Sequence, residues 1–115
     1  MAGTVDAKMR HMDMFLIEVD TNGSDVTVFD ADNPAKFRIL DVSVTTIVTA
    51  GSGTVKLTDG TTDITNAIVA ATTKAVTRAG TIDIAKNEID AGGTLKVIVA
   101  NSADARVSVL CVRTD

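Results

Sequence analysis

The sequence predicts an all-β domain, an antiparallel sandwich of roughly eight strands with at most one short helical turn. Three observations predict it. Val, Ile and Thr fill 41 of the 115 positions, and branching at Cβ restricts χ1 and suits a pleated, half-buried surface. Turn signals recur at short intervals: Asn22-Gly23, Asn33-Pro34, Gly51-Ser52-Gly53, Asp59-Gly60, Ala79-Gly80, Gly92-Gly93 and Asn101-Ser102. Gly and Asn tolerate the positive φ that tight turns require. Between these signals apolar residues alternate with period two, and no helix-length periodic segment separates the runs, which argues against parallel βαβ units.

The elements follow in order. Residues 12–19 form a first strand, with Phe15, Ile17 and Val19 in one phase and Met14 and Leu16 in the other. Both faces are apolar, so the strand is central or covered on its second side. Val26 to Phe29 is a short second strand. The third, Phe37 to Val48, is the longest. Phe37 and Ile39 share one phase, and Leu40, Val42, Val44, Thr46 and Val48 the other. A slip of phase at Ile39-Leu40 marks a bulge or a bend between sheets.

Val55 and Leu57 alternate with Lys56 and Thr58 ahead of Asp59-Gly60, a hairpin signal. In residues 62–71, Ile64, Ala67, Ile68 and Ala71 recur at helical spacing, with Asp63 or a nearby Thr to cap them. Residues 67–70 fit a strand equally, and the favoured reading is a short helical turn feeding a strand. Residues 76–78 and 81–84 are short strands, and Gly92-Gly93 reads as a hairpin turn. Leu95, Val97 and Val99 alternate cleanly. The last strand, residues 105–113, sets Val107, Val109 and Cys111 on one face and Leu110 and Val112 on the other. Residues 1–11 are read as an N-terminal arm and residues 12–115 as a single domain.

Composition excludes several functions. The chain holds three Phe but no Trp or Tyr, and sugar clefts and single-strand nucleic-acid platforms stack their ligands on such rings. A net charge of -4 with no basic run argues against nucleic acid. One Cys cannot make an internal disulfide. No apolar run approaches the ~18 residues of a membrane span, and the first twelve residues lack an apolar signal core.

No candidate constellation assembles a catalytic site. His11 is the only histidine, whereas a triad or zinc centre needs further ligands. Cys111 alternates with Val109 and reads as a small buried hydrophobe. Asp20 to Asp25 resembles a calcium loop only in composition, because the Gly falls fourth and the bidentate acid is missing. Asp30, Asp32, Asp41, Asp59 and Asp63 suit turns and solubility. Gly51-Ser52-Gly53 lacks the Lys-Ser/Thr of a phosphate loop. No cofactor, metal or catalytic residue is expected. The informative cluster is N-terminal. All four methionines, Met1, Met9, Met12 and Met14, precede or open the first strand, and Met adapts to irregular partner surfaces. Met9, Met12, Met14 and Leu16 are therefore the candidate partner interface.

The stretch 57–99 resembles small structural proteins of tailed bacteriophages that decorate or cement the capsid. Residues 63–70 (DITNAIVA), 75–83 (AVTRAGTID) and 89–97 (IDAGGTLKV) carry the resemblance, and the closing strand fits it. The resemblance implies a jelly-roll-like domain, often trimeric, bound to the major capsid protein on the virion surface and assembled in the host bacterial cytoplasm. It implies no active site. The alternative class is a receptor- or glycan-binding β module of a tail fibre or spike, against which the absence of Trp and Tyr counts. A small β-barrel enzyme is a third and would need a metal or polar constellation.

Overall fold

The computed structural model describes residues 14–114. The expected arm, including Met9, His11 and Met12, lies outside the described residues. Nine strands follow one another: β1 (Met14–Asp20), β2 (Val26–Phe29), β3 (Phe37–Val48), β4 (Thr54–Thr58), β5 (Ile68–Val69), β6 (Val76–Arg78), β7 (Glu88–Ile89), β8 (Leu95–Ala100) and β9 (Asp104–Arg113). All pair antiparallel, in one sheet ordered β1-β9-β3-β6, with β7 also on β3, and a second ordered β2-β8-β4-β5.

This order is a jelly roll. The pairs β1–β9, β2–β8, β3–β6 and β4–β5 are the rungs of one long folded ribbon. Wrapping it into two sheets brings β9 beside β3 and β8 beside β4. β7 is a two-residue addition against Phe37 and Arg38.

The core follows from strand parity. Ile39, Val42, Val44, Val107, Val109 and Cys111 of the first sheet face Val55, Leu57, Ile68, Leu95 and Val97 of the second, all 0–1% exposed. All three aromatics meet at one end. Phe37 packs edge-on against Phe15 and Phe29, with centroids 5.5 and 5.6 Å apart. Such pairs add about 0.5–1.5 kcal/mol each beyond area burial.

The phase slip in β3 is a bulge. Ile39 pairs with Cys111 and Asp41 with Leu110, which leaves Leu40 as the extra residue. Ile39 and Val42, three apart, can then both point inward. Leu40 points out and is 42% exposed, against its expected phase with Val42. The Asp41 carboxylate accepts the Val42 amide at 2.9 Å, so the irregular backbone keeps a partner. β3 stays in one sheet and does not bend into the other.

Three further expectations are corrected. Residues 62–71 contain no helical turn. Asp63 bridges to Thr58, and the chain returns as β5 after Ile64 and Thr65 both donate their amides to the Leu57 carbonyl. The Thr65 hydroxyl binds the Leu57 amide, so local side-chain bonds replace the helical ones. Residues 81–84 hold only one bridge, Thr65 to Ile82, and Ile84 is 88% exposed. Gly92, at φ 76°, closes a tight turn from Asp90 to Gly93. That turn joins β7 to β8, which belong to different sheets, so it is a crossing and not a hairpin. β7 itself was not foreseen.

The turns at Asn22-Gly23 and Asn101-Ser102 carry positive φ at both central residues, as type I′ turns do. They also cross between sheets and lie side by side, and Thr21 joins them. Its buried hydroxyl donates to the Ala103 carbonyl at 2.8 Å and accepts from the Ala105 amide at 3.0 Å.

Candidate functional site: the outer face and free edge of β1

The outward row of β1 alternates with the core row, so Met14 and Leu16 are 50% and 55% exposed. Register shows what stands beside them. Met14 lies opposite Val112 and Leu16 opposite Leu110, both half-buried. Leu110 in turn lies opposite Asp41, next to the bulged Leu40. Five apolar side chains from three strands thus share one end of the outer face. Scattered apolar residues are ordinary on a protein surface, whereas a contiguous group of this kind marks a contact surface.

Toward the other end β1 and β9 present polar residues on this face, while Ile47, Val48 and Val76 of β3 and β6 are exposed there. Glu18, Ser108 and Ser43 form one row, and Asp20, Arg106 and Thr45 the next. The Arg106 guanidinium grips Asp20 with two bonds of 2.8 and 3.2 Å. These bonds hold the Asp20 carboxyl below its ordinary pKa and the guanidinium above its own.

Among the described residues β1 is also the edge of its sheet. Its seven residues pair with β9 in unbroken register. The other edges are blunted: β2 has four residues and a register shift, β5 two and β6 three. Natural edges avoid association through shortness, bulges, Pro or Lys. β1, reading MFLIEVD, has none of these devices. Its inward row is incompletely covered as well. Phe15 and Ile17, with Val26, Val28 and Phe29 of β2, are only partly buried. On the opposite side of the sandwich, Ile64, Ile68 and Ala70 are 0–1% exposed.

The remaining candidates are absorbed by the fold. Asp59 accepts the Thr61 and Thr62 amides and hydroxyls, and the bonds to Thr62 do most to hold its pKa far below normal. Asp25 accepts the Val99 amide, Asp30 the Thr94 hydroxyl and Asp32 the Asp30 amide. Asp63 pairs with Lys56 and Asp41 with Arg78. A shallow cleft beside β7, whose Glu88 shares a row with Arg38, Val112 and Met14, is lined by Asp59, Thr61, Glu88, Asp90 and Thr94. There Lys36 bridges Glu88 and Asp90, and its hydrogen bond lowers the Glu88 pKa. Among the described residues no group of three His, Cys, Asp or Glu could hold a metal. Cys111 is fully buried, and desolvation pushes its thiol up to about 12. No helix among the described residues is long and apolar enough to cross a membrane.

Of the expected interface, Met14 and Leu16 lie together on the apolar face, while Met9 and Met12 are outside the described residues. Leu40, Leu110 and Val112 complete the face. The opposite phase of Leu110 and Val112 is legible in the sequence, but their place beside Leu16 and Met14 needs the β1–β9 register.

No known protein family matches the chain, and no curated protein matches it. Two solved structures align over 98% of it. One belongs to the Bacillus endospore appendages, a family of disulfide-linked pili, at 12% identity and TM-score 0.47 over 95% of that chain. The other is the virus-like particle of the giant freshwater prawn Macrobrachium rosenbergii extra small virus, at 15% identity and TM-score 0.47 over 85% of that chain. The jelly-roll assignment rests on the strand order and register described above.

Proposed function

We propose that this protein is a non-enzymatic virion structural protein, a decoration or cement protein that binds the assembled head of a tailed bacteriophage. One observation carries the reading. Met14, Leu16 and Leu40, exposed on the outer face of the first sheet, gather with Leu110 and Val112 at one end of it, Ile47, Val48 and Val76 are exposed toward its other end, and the carboxylates described above are engaged in turns and ion pairs. Such a surface offers contact and not catalysis. The phage resemblance of residues 57–99 supplies the kind of partner, the major capsid protein, and the place, the capsid surface. It also implies a trimeric form.

The mechanism is mass action. A protein that binds only the assembled shell raises its stability by the binding free energy, about 2.7 kcal/mol per site at a hundredfold excess over Kd. The contacts belong to Met14, Leu16 and their neighbours on the sheet, together with the arm residues Met9 and Met12. Thermal melting of heads of the same virus tests this. Added protein should raise the melting temperature, and a variant lacking residues 1–10 should raise it less while folding normally. A melting temperature indifferent to the protein would sink the proposal. Saturable binding to glycans would favour the fibre-module alternative.

A further inference from the structure

We infer that the free edge of β1 is a self-association site, which takes the β1 edge of a second copy of this chain in antiparallel, two-fold pairing. The inference stands on the edge alone and does not depend on what the outer face binds.

Four observations on the described residues lead there. β1 is the one long, regular edge of the sandwich, and the others are short or shifted. Its outward-facing backbone N–H and C=O groups offer a ladder without a strand on it. The core row behind that edge, Phe15 and Ile17, is only partly covered, so an added strand would bury apolar surface as well as complete hydrogen bonds.

The occupant is chosen by chemistry. β1 is apolar in both rows and carries its only charges, Glu18 and Asp20, at its C-terminal end. A partner strand must be apolar in both rows and must not bring acids to that end. A second β1 meets both demands when it runs antiparallel, because the two acidic ends then lie at opposite ends of the pair. A parallel pair would align the acids, and like charges directly opposite one another are destabilising. With Leu16 on the two-fold axis, Leu16 faces its own copy, Phe15 faces Ile17 and Glu18 faces Met14, with no like charges opposed. The two apolar outer faces then join across the axis into one surface. A two-fold contact is isologous and self-complementary, so the assembly is even in number and the trimer implied by the phage resemblance is the competing outcome.

Native mass and amide hydrogen exchange on the full chain test this together. A dimer of the 11.9 kDa chain is expected at micromolar concentration. In the dimer the amides of residues 14–18 should all be protected. On dilution, protection should be lost at alternate residues, those facing the free edge. Leu16→Lys should weaken the dimer about tenfold or more by placing two cations on the axis. Leu40→Lys, on the same outer face but away from the edge, should leave it intact. A monomer at all concentrations, a trimer, or an oligomer broken by Leu40→Lys and not by Leu16→Lys would each overturn the inference. Loss of the dimer on removal of residues 1–10, with Leu16→Lys harmless, would assign the contact to the N-terminal segment instead.

Discussion

Replacing Thr21 with Val removes a hydroxyl and little else, yet the fold makes that hydroxyl costly to lose. Thr21 is 2% exposed, and its oxygen serves both the Ala103 carbonyl and the Ala105 amide. Ala103 and Ala105 are fully buried, so water cannot replace the lost partner. A buried donor or acceptor left unmatched costs about 1–3 kcal/mol. The Thr21 amide keeps its bond to the Ala105 carbonyl, so two groups are left unmatched, which costs about 2–6 kcal/mol. At ~2.1 cal/mol/K per residue the unfolding entropy is roughly 240 cal/mol/K, so Tm should fall by about 8–25 °C. Thr46→Val is the internal control. That hydroxyl is equally buried but has no partner among the described residues. Its removal should be neutral or stabilising by about 1 kcal/mol. Thermal and urea unfolding followed by circular dichroism measures both. Equal effects from the two substitutions, or a loss under about 0.5 kcal/mol at Thr21, would refute the claim that Thr21 pins the two crossing turns.

Other outcomes follow from the same structure. At Gly53 an added Cβ would stand 2.8 Å from the Ala70 carbonyl oxygen and 3.0 Å from the Ala103 Cβ. Gly53→Ala should therefore cost about 1–3 kcal/mol, read from the urea midpoint. Cys111 should resist a thiol reagent at pH 8 in the native protein and react on denaturation, since burial pushes its thiol up to about 12; rapid native labelling would contradict the buried placement. Asp59, Glu88 and Asp20 all have lowered pKa values in the fold. Their stabilisation is complete above the unfolded carboxylate range, near pH 4, and is lost as pH falls through the lower folded values. The urea midpoint should drop below about pH 4, and Asp59→Ala should make that drop shallower.

The longest strand was the most legible part of the fold. β3 spans Phe37–Val48 as read, because β-branched alternation and a single phase slip leave little choice. The slip was seen, but its residue was misassigned: Leu40 leaves the core because a bulge ejects the extra residue and keeps Ile39 and Val42 inside. Ile64 and Ile68 stand four apart, as on a helix, yet both are buried because the chain kinks between a bridge and β5. Periodicity cannot separate those two cases over so short a span. β7, two residues long, leaves no periodic trace. Gly92-Gly93 was read as a hairpin because turn chemistry is local, whereas the partner of each strand in a jelly roll is distant in sequence. The same limit applies to the outer face. Parity exposed Met14 and Leu16, but only the register of β1 with β9, about ninety positions away, sets Leu110 and Val112 beside them.

The most direct test of the proposed role is co-sedimentation of the full-length protein with heads assembled from the major capsid protein of the same virus. The account predicts saturable binding to the assembled shell, no binding to unassembled subunits, and loss of binding in Leu40→Lys with its fold unchanged. No sedimentation with shells, or binding by Leu40→Lys equal to that of the parent chain, would contradict it.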